Sequence, residues 1–142
     1  MLIVVFIIAI LSLVVVGRML SASRRTKETR LIEDLRQMRM AITLFENDTG
    51  VYPNELMDIV AKSGDRLSAG VPEDARMYYQ GPYLSTTGGG LQLPNFAGLP
   101  ANPYVSPANL DVSAHWTYDN TTGTVLCATG GISLSGVPYS EL

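Results

Sequence analysis

Cysteine and histidine are almost missing from this chain of 142 residues, with one of each. Cys127 has no partner for an internal disulfide, and with His115 as the lone histidine a zinc site of Cys and His has too few ligands. Cys127 stands in the apolar run Val125-Leu126-Cys127-Ala128 and reads as a small buried hydrophobe. Charge is missing from residues 1–16, where Ser12 is the one polar side chain. Proline is missing before Pro53, so nothing of that kind breaks a helix over the first part of the chain. A phosphate-binding loop is missing too, because Gly88-Gly89-Gly90 has no lysine in the required place and reads as a flexible stretch. Ser, His and Asp all occur, but without a G-x-S-x-G elbow or a comparable nucleophile setting. An enzyme is therefore the least supported class.

What is present divides sharply. Residues 1–16 read MLIVVFIIAILSLVVV, apolar on every face of a helix. A membrane-spanning helix needs about 20 such residues, within a range of roughly 17–25. A signal peptide would start with basic residues, whereas here they come afterward, at Arg18, Arg24, Arg25, Lys27 and Arg30. A buried core helix would need more surrounding chain than a protein of this size offers. The expectation is a membrane span.

The helix does not stop there. Leu31, Leu35, Met38, Ile42 and Phe45 recur at alternating spacings of four and three, which makes one narrow apolar stripe. Arg30, Glu33, Asp34, Arg36, Gln37 and Arg39 occupy the other faces. One helix is expected from residue 1 to about 45, on the order of 65–70 Å long at 1.5 Å per residue. Residues 1–17 would suit lipid or a helical bundle, and residues 18–46 would pack their stripe on a head formed by residues 47–142. Asn47-Asp48-Thr49-Gly50 is expected to end the helix, with Gly50 in the left-handed position. Residues 1–45 hold seven Lys/Arg against three Asp/Glu, and residues 46–142 hold three against ten. Complementary faces in an assembly and an ordinary solvated acidic head explain this split equally well.

In the head, residues 55–61 read as a short helix capped by Asn54, and residues 62–75 as loop. Strand-like pieces fall at residues 77–79, 114–118 and 124–128, the last two joined by the hairpin loop Asp119-Asn120-Thr121-Thr122-Gly123. Residues 81–111 are rich in Gly, Pro, Asn and Ser and read as one long loop. The expected fold class is α+β, with a long N-terminal membrane-spanning helix laid on a small antiparallel sheet. Trp116 and Tyr118 share a sheet face and read as core, with ligand stacking as the minor alternative. His115 reads as a strand residue, and Glu73-Asp74 as solvated acids. Asn47 and Asn120 each begin an N-x-S/T pattern that is common by chance. The arginines between Arg18 and Arg39 alternate with acids beside an apolar run, so lipid headgroups or other subunits are expected partners, and nucleic acid is not.

The segment MLIVVFIIAIL, the amphipathic continuation and then Gly50-Val51-Tyr52-Pro53 resemble the N-terminal helix and helix-end motif of type IV pilins and type II secretion pseudopilins. Gly81-Pro82-Tyr83-Leu84, Leu99-Pro100-Ala101-Asn102-Pro103-Tyr104 and Trp116-Thr117-Tyr118 are similar to pieces of the pseudopilin head. The resemblance covers the first 53 residues well and the remainder loosely. It implies a pilin-like fold and a structural subunit that polymerises into a type IV pilus or a type II secretion pseudopilus. It also implies partners: other copies or other pilin-like subunits, an inner-membrane assembly platform, and prepilin peptidase acting on a prepilin-type N-terminal methylation motif. Under this resemblance the assembly helix is Met1, Leu2, Ile3, Val4, Val5, Phe6, Ile7, Ile8, Ile10 and Leu11. Leu31, Leu35, Met38, Ile42 and Phe45 hold the head, and Gly50, Tyr52 and Pro53 form the helix end.

The family's basic leader and its glutamate are not in this sequence, and no residue here takes the glutamate's role. By alignment that glutamate falls immediately before Met1, so residues preceding Met1 are expected; the alternative, a minor pseudopilin naturally lacking the glutamate with Val5 in its place, fits the flanking residues less well. Those preceding residues would lengthen the span and reverse the orientation that the downstream arginines alone would impose. Localisation is then single-pass in the inner membrane, with an extracytoplasmic head. No cofactor and no metal are expected, since the tail from residue 130 to 142 carries one carboxylate side chain, Glu141, too few for a calcium cage. The alternative of a different class is a monomeric membrane-anchored binding module, an adhesin or envelope sensor.

Overall fold

The computed structural model describes residues 2–84, 93, 98–106 and 108–142, and for Leu2 and residues 13–21 the backbone alone. The chain is α+β. A single helix, α1 (Leu2–Thr49), runs through the first third of the protein. Two short helices follow, α2 (Glu73–Met77) and α3 (Val112–His115), and then an antiparallel hairpin of β1 (Trp116–Asp119) and β2 (Thr124–Cys127). Trp116 pairs with Cys127 and Asp119 with Thr124. Short 3₁₀ turns at Leu56–Val60, Gly64–Arg66 and Tyr139–Glu141 complete the described elements.

The core lies between the second half of α1 and everything after it. Leu31, Leu35, Met38, Ile42 and Phe45 are all buried, joined by Ala41 from the flank of the stripe. Against them pack Ile59, Val71, Ala75, Leu99, Trp116, Val125, Cys127 and Tyr139. Burial of one such aliphatic or aromatic side chain stabilises by about 1.5–3 kcal/mol, so this stripe is what fixes the head on the helix. Trp116 is 2% exposed and donates its indole N–H to the Pro100 carbonyl at 2.8 Å.

Four local readings are corrected. α1 continues to Thr49 and includes Asn47, Asp48 and Thr49, which the sequence reading placed outside it. One tertiary and one local bond hold that last turn: the Asp48 carboxylate accepts the Tyr83 hydroxyl at 2.6 Å, and the Thr49 hydroxyl donates back along the helix to the Phe45 carbonyl at 2.7 Å. Glu55, not Asn54, caps the first 3₁₀ turn; its backbone N–H donates to the Asp58 carboxylate at 2.9 Å. Residues 77–79 form no strand; Pro72 at the N-cap and the acids Glu73 and Asp74 in the first turn start α2, which ends at Met77. Residues 112–115 are a helical turn, so β1 starts two residues later than the sequence suggested.

The interval 81–111 is more than surface loop, since Leu84, Leu93, Leu99 and Ala101 are buried in the core. The reading of Gly88-Gly89-Gly90 lies outside the described residues.

Candidate assembly surface

Ile3, Val4, Val5, Phe6, Ile7, Ile8, Ile10 and Leu11 project from the first turns of α1 with nothing among the described residues packed on them. Their exposure runs from 51% at Ile7 and Ile10 to 76% at Ile3. The apolar side chains point to every side of the helix, so no single face can satisfy them. The one hydroxyl in this stretch, Ser12, donates back to the Ile8 carbonyl at 2.8 Å and offers no polar face. Removing eight such chains from water is worth on the order of 10–20 kcal/mol. That exceeds the typical stability of a whole domain, about 5–15 kcal/mol. This arm must be covered by something.

Among the described residues no helix is long and apolar enough to cross a membrane. Met1, and the side chains of Leu2 and of the run's last four residues at 13–16, lie outside the described set, so the described part of the run covers ten residues. At 1.5 Å per residue those ten span about 15 Å, half of a hydrocarbon core of about 30 Å.

The arm is continuous with the part of α1 that carries the head, and the head grips it along its length. Arg24 donates to the Ile132 carbonyl at 3.1 Å, and the buried Glu28 carboxylate accepts the Leu134 N–H at 3.0 Å. Farther along, Arg39 donates to the Val125 carbonyl at 3.3 Å. Phe45 meets Tyr79 and Tyr83 edge-on, with ring centroids 5.8 and 5.9 Å away. Tyr83 is pushed up to about 12, first by burial and then by its hydrogen bond to Asp48, so the phenol stays protonated and keeps donating.

The helix-end residues close the grip. Gly50 has φ 75°, the left-handed conformation that releases the chain from the helix. Tyr52 lies over the hairpin so closely that a Cβ on Gly123 would sit 2.5 Å from its ring. Pro53 is buried, and its carbonyl accepts the Tyr118 hydroxyl at 2.7 Å.

A polar hub behind the sheet carries no sequence signature. Asn102 is 1% exposed; its side-chain amide donates to the Thr129 hydroxyl at 2.8 Å and to the His115 carbonyl at 3.1 Å. Its backbone N–H donates to His115 Nδ1 at 3.1 Å, which leaves His115 Nε2 to donate to the Asn109 carbonyl at 2.9 Å. Both ring nitrogens are thus engaged inside the fold, and neither is free to carry protons to a substrate or to hold a metal. The same amide reaches Cys127 Sγ at 3.1 Å, and this thiol is buried. Among the described residues no group of three or more His, Cys, Asp or Glu could hold a metal ion.

An open groove of about 480 Å³ runs between the first 3₁₀ turn and α3, lined by Leu56, Met57, Leu110, Val112, Trp116 and Tyr118 with Glu55 and Asp111 at its rim. Comparison with protein-family models, curated proteins and solved structures finds no match to this chain.

Proposed function

We propose that this chain is a structural subunit of pilin or pseudopilin type, anchored in a membrane by the first half of α1 and polymerising into a filament through it. The observation that carries this reading is the arm itself: eight apolar side chains exposed around a helix whose other half is locked into a folded head. In the bilayer, lipid covers the arm. In a filament, the arms of neighbouring copies cover one another, and transfer between the two environments leaves the apolar surface dry throughout. The motif GVYP at residues 50–53 and the apolar run support the same reading by resemblance. The partners are then other copies or related subunits and an inner-membrane assembly platform, with prepilin peptidase where a leader precedes Met1. Whether the filament is a type IV pilus or a type II secretion pseudopilus would follow from those partners.

Ile8→Asp tests it. A carboxylate at the centre of the arm costs about 2.5–3.5 kcal/mol in a membrane helix and faces apolar neighbours in a bundle. Filament assembly is expected to be lost while the head remains folded; filaments at normal yield from this variant would overturn the proposal.

The groove beside Trp116 and Tyr118 favours a second reading, a monomeric membrane-anchored binding module. The two part on one measurement. A binding module stays monomeric in membranes free of detergent, whereas a filament subunit cross-links to its own kind through the arm.

A further inference from the structure

The geometry points to a second membrane contact in the head: the loop of residues 130–138 is a seat for an anionic lipid surface. This rests on the anchored reading above and adds to it a partner for a different part of the chain.

Three apolar side chains crowd this short loop and face solvent: Ile132 at 59% exposure, Leu134 at 52% and Val137 at 37%. They are exposed because the loop's own hydrogen bonds turn inward. Ser133 is buried; its N–H donates to the Val137 carbonyl at 2.8 Å, and its hydroxyl accepts the Val137 N–H at 3.0 Å. The Tyr139 N–H closes the base of the loop on the Gly131 carbonyl at 3.0 Å. A loop with its polar backbone satisfied inside and its apolar chains outside is built to meet an apolar phase, since water gives those chains nothing.

Its position says which phase. Arg24 holds the Ile132 carbonyl and Glu28 holds the Leu134 N–H, so the loop is fixed level with residues 24–28 of α1. Arg24 follows the end of the apolar run by eight residues, about 12 Å along the helix. The headgroup layer of one leaflet is about 5–8 Å deep, the difference between a 30 Å core and a 40–45 Å bilayer shared by two sides. The Arg24 level thus stands about 4–7 Å beyond the outer edge of the headgroups, and the loop on the helix flank is brought down to them as the helix tilts toward it, within the range of about 0–40° that spanning helices adopt.

Charge selects the lipid. Arg24, Arg25 and Lys27 are exposed at this level, whereas the carboxylate among them, Glu28, is buried and engaged by the Leu134 N–H. Glu141 is also exposed, but the neighbouring Leu142 lies by Arg36 and Arg39, two to three helix turns farther from the arm. Cations beside exposed Ile and Leu match a phosphate-bearing surface over an apolar interior. Such a seat would hold an unassembled subunit's head against the bilayer until extraction into a filament lifts it away.

The test uses the full chain reconstituted in vesicles of phosphatidylcholine and phosphatidylglycerol that contain brominated acyl chains. Cys127→Ala removes the native thiol, and an environment-sensitive fluorophore is placed by Ile8→Cys, Leu134→Cys or Asp65→Cys. Bromine quenching is expected at positions 8 and 134 and not at 65. At 134 alone it is expected to disappear in vesicles lacking phosphatidylglycerol, at high salt, or when Arg25→Glu and Lys27→Glu are added. Quenching at 8 without quenching at 134 overturns the seat and leaves the anchor standing. Protection of position 134 from aqueous iodide that grows with protein density, without bromine quenching, assigns the loop to a second copy and also overturns it. Absence of quenching at 8 overturns the anchored reading, and the seat with it.

Discussion

Asp34 sits on the flank of the packing stripe, and the fold treats it poorly. Its side chain is 13% exposed, and its Oδ2 is buried with no hydrogen-bond partner among the described residues. Arg30 approaches only to 3.9 Å. Burial is the largest influence and outweighs that arginine, so the carboxyl is raised from 3.8 to about 6, with Glu33 adding to the rise. A raised carboxyl favours the neutral form in the fold. Its contribution to stability is fully present below about pH 4 and is lost as pH climbs through about 6. Two units correspond to about 3 kcal/mol at most, and the paired, partly solvated side chain brings that to about 1–2 kcal/mol.

Asp34→Asn keeps the shape and removes the charge, so it is expected to stabilise the head by about 1–2 kcal/mol at neutral pH, roughly 5–10 °C in Tm for a domain of this size. Trp116, the single tryptophan, is buried and reports unfolding of the full chain in detergent by its fluorescence. The gain should be near zero at about pH 4, rise through about pH 6 and level off above about 7. An Asn variant no more stable than the parent at neutral pH, or equally stabilised across that range, would refute the reasoning.

The remaining predictions concern the grip of the head on α1 and the hub behind it. Leu35→Ala, at a site 1% exposed, is expected to cost about 2–5 kcal/mol and to lower the denaturant midpoint with little change in slope. Asn102→Ala leaves the Tyr104 N–H without its acceptor and takes one of two donors from the His115 carbonyl, which keeps the Ala128 N–H, and a loss of about 1–3 kcal/mol is expected, read as a lower Tm in the same fluorescence assay. Gly123→Ala would place a Cβ 2.5 Å from the Tyr52 ring at a glycine with φ 67°, so thermal melts should show a larger loss than Gly136→Ala, where φ is 87° and no atom stands within 4 Å. A Gly123 variant no worse than the Gly136 variant would mean that Tyr52 yields easily.

The long helix and its stripe were legible because each depends on neighbours in sequence. Absence of proline, spacings of four and three, and a glycine at the turn position are local signals, and Gly50 duly has φ 75°. The hairpin was legible for the same reason. α2 was missed although its signals were also local, because Pro72, Glu73 and Asp74 fell in a stretch read as loop, with Gly64 and Gly70, and residues 77–79 were read as strand. Tyr78 is in fact exposed and only Tyr79 turns inward, toward Phe45. Other features had no local signal at all. Leu84, Leu93 and Leu99 are scattered through a stretch rich in glycine and proline, and no sustained period marks them as core. The hub joins residues 102, 115, 127 and 129, whose proximity exists only once the hairpin has folded back. Of the candidate surface, the arm was read from composition alone, whereas the loop at 130–138 became visible only through its bonds to Arg24 and Glu28.

Those bonds bear on how the subunit would move. Among the described residues, side-chain hydrogen bonds tie the head to α1 from Arg24 to Ile132, Glu28 to Leu134, Arg39 to Val125 and Asp48 to Tyr83. From Arg24 to Asp48 these span 24 residues, about 36 Å of helix. A rod clamped over that length cannot pivot beneath its head, so any tilt or rotation of the arm is passed on to the head surface. A subunit attached at one point could pack its arm in a filament while its head stayed where it was. Here the two must move together, which makes release of the loop at 130–138 from its surroundings a necessary part of any rotation of the arm.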